Sequence, residues 1–259
     1  MKVLVTGGTG FTGSHTVRAL AACGHEIRLL VRDADKVPRV FEPHGFVPDD
    51  LVVGDMTDAS AVEGALRGCD GVVHAAALVD LRRAAARRVE ESNVRGVELV
   101  VGGAARLGLP TIVHVSSLGV FFAPGGPPLS VDLPIAPTNS AYARSKAQAE
   151  VYVRRLQEDG APIRISYPAL IMGPDDPGMS AGNNGIYSIL KDIGVIPQAV
   201  CNVSTCAILP RCMRGCWSCQ MGRIGMQQRA KCCAGSTFTR YWTVLRVATS
   251  GELPCRAGS

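Results

Sequence analysis

Short apolar runs alternate with helix-length amphipathic segments from residue 2 to about residue 195 of this chain. Runs such as Val72-Val73-His74-Ala75-Ala76 lack polar alternation, which is typical of strands that are buried on both faces. Strands that alternate with helices are joined by crossover connections, and these place the strands in a parallel sheet covered by helices. The pattern therefore predicts an α/β, doubly wound, Rossmann-like domain over residues 1–196.

The element boundaries can be estimated from the same periodicity. The predicted strands are Lys2–Thr6, Glu26–Val31, Leu51–Gly54, Gly71–Ala75, Thr111–Ser116 and Ile163–Tyr167. The predicted helices lie near residues 12–23, 58–67, 90–107 and 140–159. Five prolines and two glycines between Ala123 and Pro137 predict a surface loop between the fifth strand and the next helix.

The sequence changes character near residue 197. Eight of the ten cysteines follow residue 200, and only Cys23 and Cys69 precede it. Residues 201–259 also hold eight lysines or arginines against one acid, Glu252, and neither helical nor strand spacing persists there. Residues 197–259 are therefore predicted to be an aberrant tail rather than a folded domain, with the C-terminal lobe missing or disordered.

Several classes of protein are excluded by composition. The start, Met1-Lys2-Val3-Leu4-Val5, has an apolar run that suits a buried strand and is too short for a signal peptide. No stretch approaches the roughly 18 apolar residues of a membrane span. Two well-separated cysteines before residue 200 suit a reducing compartment. We therefore expect a cytoplasmic protein without a membrane span.

The turn Thr6–Gly13 joins the first strand to the first helix. Glycines at such a turn allow a tight bend, close approach of the backbone to a pyrophosphate and close packing of helix on strand. The amides of the first helical turn and the helix dipole then hold the phosphates. The predicted dinucleotide contacts are Gly7, Gly10, Phe11, Thr12 and Gly13.

The ends of the second and third strands indicate how the adenosine half is held. Arg32 and Lys36 can pair with the 2′-phosphate of NADP, whereas an acid such as Asp33 suits the ribose hydroxyls of NAD. Asp55, followed by Met56, can accept a hydrogen bond from the adenine amino group, or it can cap the next helix. NADP is the predicted cofactor, with NAD as the alternative.

A candidate catalytic set follows the fifth strand. Ser117 lies at the end of that strand, while Tyr142 and Lys146 share one helix face because they are four residues apart. A nearby ammonium can lower the pKa of a phenol from its usual value near 10, which would let Tyr142 pass a proton to or from a substrate oxygen.

At this point the chain resembles the short-chain dehydrogenase/reductase superfamily, specifically its extended branch of NAD-dependent epimerase/dehydratase and dihydroflavonol-reductase-like proteins. The residues that carry the resemblance are Thr6–Gly13, Gly54-Asp55, His74-Ala75-Ala76, Asn93-Val94-Arg95-Gly96, Val115-Ser116-Ser117, Tyr142 with Lys146, and Tyr167-Pro168 leading to Gly173-Pro174. They extend over about the first 175 residues.

The resemblance implies a role for each matching residue. Tyr142 would be the acid/base, Lys146 would bind the nicotinamide ribose and tune Tyr142, and Ser117 would hydrogen-bond the reacting oxygen. Other residues expected to line the cofactor are Ala75, Ala76, Ala77, Asn93 and the backbone after Pro168. Asn93 can also serve only to fix backbone. His74 and His114 are expected to be core histidines whose hydrogen bonds are satisfied.

The implied function is an NAD(P)-dependent oxidoreductase that interconverts a secondary alcohol and a ketone. The expected partner is a small-molecule carbonyl or alcohol substrate, and a homodimer is left open as an assembly. A nucleotide-sugar epimerase or dehydratase is the alternative enzyme. A catalytically inactive dinucleotide-binding protein is the alternative outside the enzymes, because this family builds its substrate pocket from the C-terminal lobe.

Three explanations of the tail compete. Cys212, Cys216 and Cys219 have the spacing of an iron–sulfur site, but their context after a Rossmann-like domain does not suit one. A nucleic-acid arm would not carry eight cysteines. The favoured hypothesis is a one-base frameshift, because an alternative reading frame across residues 199–214 permits the D-V-R-D-like string that the family has after its Gly-Pro loop. We predict no metal site and no nucleic-acid partner.

Overall fold

The computed structural model describes residues 1–80, 82–138, 140–188, 191 and 203–205. Six parallel strands form one sheet in the order β3-β2-β1-β4-β5-β6. These strands are β1 Lys2–Thr6, β2 Glu26–Val31, β3 Asp50–Val53, β4 Gly71–His74, β5 Thr111–Val115 and β6 Ile163–Ser166. The predicted Rossmann-like sheet is confirmed, and the predicted strands differ from the observed ones by at most one residue at an end.

Helices connect the strands and cover both faces of the sheet. They are α1 Phe11–Ala21, α2 Lys36–Phe41, α3 Ala59–Leu66, α4 Ala86–Arg106, α5 Ala141–Glu158 and α6 Ala181–Ser188. Short 3-10 helices lie at Glu42–His44, Arg83–Ala85 and Leu118–Phe121. Ala123–Pro137 holds turns and bends without helix or strand, which confirms the predicted loop.

Two apolar clusters lie on opposite faces of the sheet. Leu4, Val72 and Ile112 contribute to one cluster, together with apolar side chains of α3, α4 and α5. Val3 and Val73 contribute to the other, with side chains of α1 and α2. Because successive side chains of a strand point to opposite faces, strands covered on both sides need apolar residues at every position. This burial explains the absence of polar alternation in the sequence.

The strand order places a crevice at the carboxyl end of β1. The chain leaves β1 toward β2 on one side, whereas β4 lies on the other side of β1. In open α/β sheets such a reversal of strand order opens the crevice in which ligands bind. The turn after β1, the turn after β4 and the end of β5 therefore meet at one edge of the sheet.

Some short elements were not predicted. α2, with a proline inside its six residues, and α6 were missed, and so was a second, two-stranded parallel sheet. In that sheet β7, Leu170–Met172, pairs with β8, Val203–Thr205. Val203–Thr205 lies within the predicted tail, and its valine and threonine favour extended backbone. The other residues of the predicted tail lie outside the described residues.

A helix must be both long and apolar to cross a bilayer. Within the part of the chain that the structure describes, no helix meets both conditions.

Candidate active site

The glycine-rich turn after β1 is packed against the turn after β4. Gly7 has φ +72°, and a Cβ there would lie 2.7 Å from the Ala76 amide nitrogen. A Cβ on Gly13 would lie 1.9 Å from the Gly7 carbonyl oxygen. On Gly10 it would meet only that oxygen, at 3.3 Å. The fold itself therefore demands glycine at 7 and 13, whereas glycine at 10 leaves open space where a ligand can approach the backbone.

Helix α1 begins directly after this turn, at Phe11. Gly10 caps the helix without a side-chain hydrogen bond, and the first turn contains no acidic residue. The positive end of the helix dipole is thus not compensated by the chain's own carboxylates. Thr12 contributes its carbonyl to Thr16, and the Phe11 ring is buried edge-on against His15. Pyrophosphate binding at this helix end stays a prediction, which the absence of an acidic residue from the first turn supports.

Two contacts fasten α1 to the Gly173-Pro174 turn that follows β7. The Nε2 of His15 lies 3.1 Å from the Pro174 carbonyl oxygen. One turn further along α1, Arg18 forms an ion pair of 2.9 Å with Asp175. Burial lowers the pKa of His15 below its ordinary value, against the opposing effect of the Pro174 contact. The helix that begins at the glycine-rich turn is therefore joined to the turn that follows β7.

The end of β2 presents two cations to solvent. Arg32 is exposed directly after the strand. Lys36 is also exposed, and its ammonium lies 3.9 Å from the Asp33 carboxylate. Asp33 therefore partly neutralises Lys36, and Arg32 is the stronger candidate for contact with a 2′-phosphate.

Asp55 forms a local turn instead of capping a helix. One carboxylate oxygen accepts hydrogen bonds from the Thr57 amide at 2.9 Å and the Thr57 hydroxyl at 2.7 Å. Burial would raise the pKa of Asp55, but the Thr57 hydrogen bonds and the charge of Arg32 outweigh it and lower the pKa. The helix-capping alternative is wrong because Asp58 caps α3, through the amides of Ser60 and Ala61.

Met56 packs on helix α4 beside this turn. A Cβ on Gly96 would lie 2.7 Å from the Met56 sulfur, so the small residue of α4 makes room for the thioether. Met56 thereby joins the apolar cluster on that face of the sheet. Its position next to Asp55 keeps it among the predicted cofactor contacts.

The turn after β4 is held by β1 and by Asn93. The amides of Ala75 and Ala76 donate to the Thr6 carbonyl at 3.2 Å and the Thr6 hydroxyl at 3.3 Å, and Ala77 follows them. The Asn93 amide group accepts from the Leu78 amide at 2.7 Å and donates to the Leu78 carbonyl at 3.0 Å.

Asn93 also joins this turn to helix α5. Its amide nitrogen lies 2.9 Å from the Ser145 hydroxyl, which in turn donates to the Tyr142 carbonyl at 2.7 Å. The side chain is buried and its amide is engaged at both ends. Of the two roles considered for Asn93, this geometry favours the fixing of backbone.

The predicted catalytic side chains lie on two elements. Ser117 follows β5, and its hydroxyl accepts a hydrogen bond from the Gly119 amide at 3.2 Å. Tyr142 and Lys146 lie on the first turns of α5. The buried Lys146 ammonium donates to the Val115 carbonyl at 2.9 Å, which places it at the carboxyl end of the strand that leads to Ser117.

The electrostatic state of Tyr142 differs from the expectation. Burial raises the pKa of the Tyr142 phenol above its ordinary value. Burial also lowers the pKa of Lys146 to about 8, against the opposing charge of Glu150. The expected lowering of the Tyr142 pKa by Lys146 is therefore wrong for this state, in which burial raises the Tyr142 pKa and the Lys146 ammonium donates to the Val115 carbonyl.

The two core histidines differ from each other. His74 Nδ1 lies 2.8 Å from the Thr6 hydroxyl, as expected for a satisfied histidine, and burial lowers its pKa to about 3. His114 is fully buried, yet neither of its ring nitrogens has a hydrogen-bond partner among the described residues. The expectation that His114 is satisfied is wrong, because its neighbour across the strands is the ring of His74 rather than a hydroxyl.

The turn after β6 approaches the same edge of the sheet. The Pro168 carbonyl accepts a hydrogen bond from the Leu118 amide at 2.9 Å, directly after Ser117. This bond aligns the predicted carboxamide contact with the end of β5.

One buried acid of the site was not predicted. Glu150 lies on α5 four residues after Lys146 and is completely buried. The signal was available in the sequence, because residues four apart share a helix face. Among the described residues no group of three or more metal-ligating side chains comes together, and Cys212, Cys216 and Cys219 lie outside them.

Comparison with known proteins gives a consistent set of relatives. The sequence profile of the NAD dependent epimerase/dehydratase family matches residues 3–193. A Stigmatella aurantiaca protein named 4-hydroxy-2-methyl-3-oxo-4-farnesyl-3,4-dihydroquinoline-1-oxide ketoreductase is 34% identical over 180 residues, which are 68% of this chain and 52% of the relative. A UDP-glucose 4-epimerase of Neisseria meningitidis serogroup B is 33% identical, over 61% of this chain and 48% of the relative. The chain thus spans about half the length of these curated relatives.

Solved structures show the same fold. A double mutant of dTDP-glucose 4,6-dehydratase from Streptomyces venezuelae, solved with NAD bound, has a TM-score of 0.68 and 29% identity over 82% of this chain and 70% of its own. The UDP-glucose 4-epimerase of Thermus thermophilus, in complex with NAD, has a TM-score of 0.66 and 27% identity over 83% of this chain and 73% of its own.

Proposed function

This chain belongs to the NAD-dependent epimerase/dehydratase family, and from that premise we propose that it binds a nicotinamide dinucleotide and interconverts a secondary alcohol and a ketone. The observation that carries the proposal is the position of Lys146, whose ammonium lies at the carboxyl end of β5, on the same helix as Tyr142. The named reductases, epimerases and dehydratases among its relatives support nicotinamide chemistry as the class.

The glycine-rich turn supports dinucleotide binding. Open space at Gly10 and the uncompensated start of α1 suit the pyrophosphate, while Arg32 suits a 2′-phosphate. NADP(H) is therefore the proposed preference, although the solved relatives described above hold NAD.

The bound nicotinamide would accept or donate the hydride. Tyr142 would transfer a proton between its phenol oxygen and the substrate oxygen, and the Ser117 hydroxyl would donate a hydrogen bond to that same oxygen. Lys146 would turn from the Val115 carbonyl toward the nicotinamide ribose, and its ammonium would then favour the ionised form of Tyr142. The Pro168 turn would face the carboxamide.

A second candidate is a nucleotide-sugar epimerase or dehydratase. The likeness to dTDP-glucose 4,6-dehydratase and UDP-glucose 4-epimerase structures favours it. These reactions use the same kind of site and regenerate the cofactor. A third candidate is an inactive dinucleotide-binding protein, which corresponds to the prediction that residues 197–259 are an aberrant tail.

One experiment separates the three candidates. The purified chain is incubated with NADPH or NADH and a panel of ketones, with NADP⁺ or NAD⁺ and the matching alcohols, and separately with NAD⁺ and UDP- or dTDP-hexoses. Net change in absorbance at 340 nm with a ketone or alcohol supports the oxidoreductase, and sugar conversion without net cofactor turnover supports the second candidate. Tight dinucleotide binding without either reaction supports the third. Tyr142→Phe is the control, since it should keep dinucleotide binding and abolish turnover.

A further inference from the structure

Glu150 accepts hydrogen bonds from three other side chains, on the buried face of α5, which is called the catalytic helix below because it carries Tyr142 and Lys146. One carboxylate oxygen accepts from the Ser116 hydroxyl at 2.8 Å. The other accepts from the Tyr167 hydroxyl and from Nε of Arg154, the latter at 2.8 Å. Glu150 is completely buried, so these contacts replace its hydration. A buried carboxylate is costly unless it is paired in this way.

The partners of Glu150 are neighbours of the predicted site residues. Ser116 precedes Ser117 at the end of β5, and Tyr167 precedes Pro168 after β6. Glu150 itself belongs to α5, which carries Tyr142 and Lys146. A single carboxylate therefore connects α5 and the end of β5, which carry the predicted catalytic set, with the turn after β6.

Arg154 extends the connection to the loop of residues 123–137. Its guanidinium donates to the Val131 carbonyl at 3.3 Å and to the Tyr167 hydroxyl at 3.4 Å. It also lies over the Phe121 ring, 5.5 Å from the centroid. The ion pair of Arg154 with Glu150 thus also holds the loop that covers this side of α5.

Glu150 also acts on Lys146 through its charge. Both side chains are buried on one face of α5, one turn apart. The other charged or titratable groups around this pair are Arg154 and Tyr142 from α5, His74 and His114 from β4 and β5, and Tyr167 from the turn after β6. The negative charge of the Glu150 carboxylate favours the protonated form of Lys146, whereas burial disfavours it.

We propose that Glu150 is a positioning residue that holds the ends of β5 and β6 against the catalytic helix and stabilises the Lys146 ammonium by its charge. The inference rests on the proposed function, since it assigns Glu150 a task in the same site. It acts through Lys146, Ser116 and Tyr167 and touches no reacting atom.

The charge effect is tested with Glu150→Gln, which keeps a hydrogen-bonding side chain of the same size. Lysine labelled with ¹³C at Cε is followed by NMR across pH in the full chain, whose lysines are Lys2, Lys36, Lys146, Lys191 and Lys231. The Lys146 signal is assigned from its loss in Lys146→Arg. We expect its titration midpoint to fall by about one pH unit in Glu150→Gln. Glu158→Gln, the same change at an exposed position of α5, should leave the midpoint where it is. An unchanged midpoint in Glu150→Gln overturns the charge effect.

The hydrogen bond from Tyr167 to Glu150, called the tether here, holds the turn after β6 against α5. It is tested with Tyr167→Phe, which removes this donor to Glu150 and keeps the ring. We expect NADPH to bind about tenfold more weakly, because the Pro168 turn loses its fixed position. Tyr152→Phe, the same change at a tyrosine of α5, is the matched control and should bind NADPH as the parent does. Equal NADPH affinity in the parent and in Tyr167→Phe overturns the tether. This second variant keeps the proposal testable even where Glu150→Gln fails to fold.

These measurements are independent of turnover. Suppose that Glu150→Gln shifts the Lys146 midpoint and Tyr167→Phe weakens NADPH binding, while the parent reduces no ketone. These results would support the role of Glu150 and contradict the proposed activity. Ketone reduction by the parent, with neither change in the two variants, would support the proposed activity and contradict the role of Glu150.

Discussion

The ring of His114 stacks on the ring of His74, with centroids 5.8 Å apart and planes inclined by 16°. Both side chains are buried in the centre of the sheet, and burial lowers the pKa of each. His114 carries two ring nitrogens that have no hydrogen-bond partner among the described residues. The pair is therefore neutral, and the burial of the two unpartnered nitrogens of His114 costs folding free energy.

Replacement of His114 by leucine should stabilise the protein at pH 7 by about 1 kcal/mol, because it removes the two buried ring nitrogens that have no hydrogen-bond partner among the described residues. It should also weaken the pH dependence of stability. The folded pKa of His114 lies below the unfolded value of about 6.5, so the unfolded chain binds the extra proton as the pH falls below 6.5. Between pH 6.5 and 5 the parent should lose about 2 kcal/mol more than His114→Leu. Urea denaturation at several pH values measures this, and equal slopes would refute the argument.

Dinucleotide affinity should fall as the pH rises through about 8. Burial lowers the pKa of Lys146 to about 8, and the protonated form, present below that pH, is the one that can donate to the nicotinamide ribose. Isothermal titration of NADPH from pH 6.5 to 9.5 should show the decrease. Lys146→Met should bind weakly at every pH, with this step removed. A step of parental size in Lys146→Met would assign the titration to another group.

Two glycines of the same turn should respond differently to alanine. Gly13→Ala should cost about 3 kcal/mol or more of folding stability, because the new Cβ would lie 1.9 Å from the Gly7 carbonyl oxygen. Gly10→Ala should fold with a loss below about 1 kcal/mol and lose dinucleotide affinity by tenfold or more, since its new Cβ projects toward the predicted phosphate position. Thermal unfolding and NADPH titration of both variants test the pair. If Gly10→Ala binds NADPH as tightly as the parent does, the phosphates are not bound at Gly10.

NADPH should bind more tightly than NADH, and the difference should depend on Arg32. Arg32→Ala should weaken NADPH binding by about tenfold and leave NADH binding nearly unchanged, because a guanidinium can make charge-assisted hydrogen bonds to the 2′-phosphate. Lys36→Ala should have a smaller effect, since Asp33 already lies 3.9 Å from the Lys36 ammonium. Equal affinities for the two cofactors in the parent, unchanged by Arg32→Ala, would disprove the preference.

The coding DNA should contain an intact alternative frame after codon 197. The hypothesis rests on the change in cysteine and charge content near that codon, and the family match ends at residue 193. Sequencing the gene should reveal the D-V-R-D-like string in the shifted frame. Stop codons throughout that frame would rule out the frameshift and require another account of the cysteine-rich sequence.

The fold could be predicted because its strands are buried on both faces and its helices are amphipathic, two patterns that depend only on local sequence. Elements that lack such a pattern were missed. β7 has three residues, α2 has six, and β8 depends on pairing with a strand more than thirty residues away. Pairing across such distances leaves no periodic signal.

Some features of the candidate site could likewise be predicted from the sequence, and others could not. The glycine turn and the spacing of Tyr142 and Lys146 are local, so they could be read from the sequence. The contacts of Glu150 join residues 34 and 17 positions apart, and those of Lys146 join residues 31 positions apart. Such contacts depend on how α5 is rotated against the sheet. The unpartnered nitrogens of His114 likewise depend on the register of β4 and β5.

The fastening of α1 to the Gly173-Pro174 turn restricts how this gene can vary in length. An α-helix rotates by about 100° per residue. One residue inserted between Thr12 and His15 would keep the phosphate end in place and swing His15 and Arg18 away from Pro174 and Asp175. The number of residues between the glycine turn and His15 is therefore a property of the site, and insertions or deletions in this segment should be selected against even where every side chain is conserved in type.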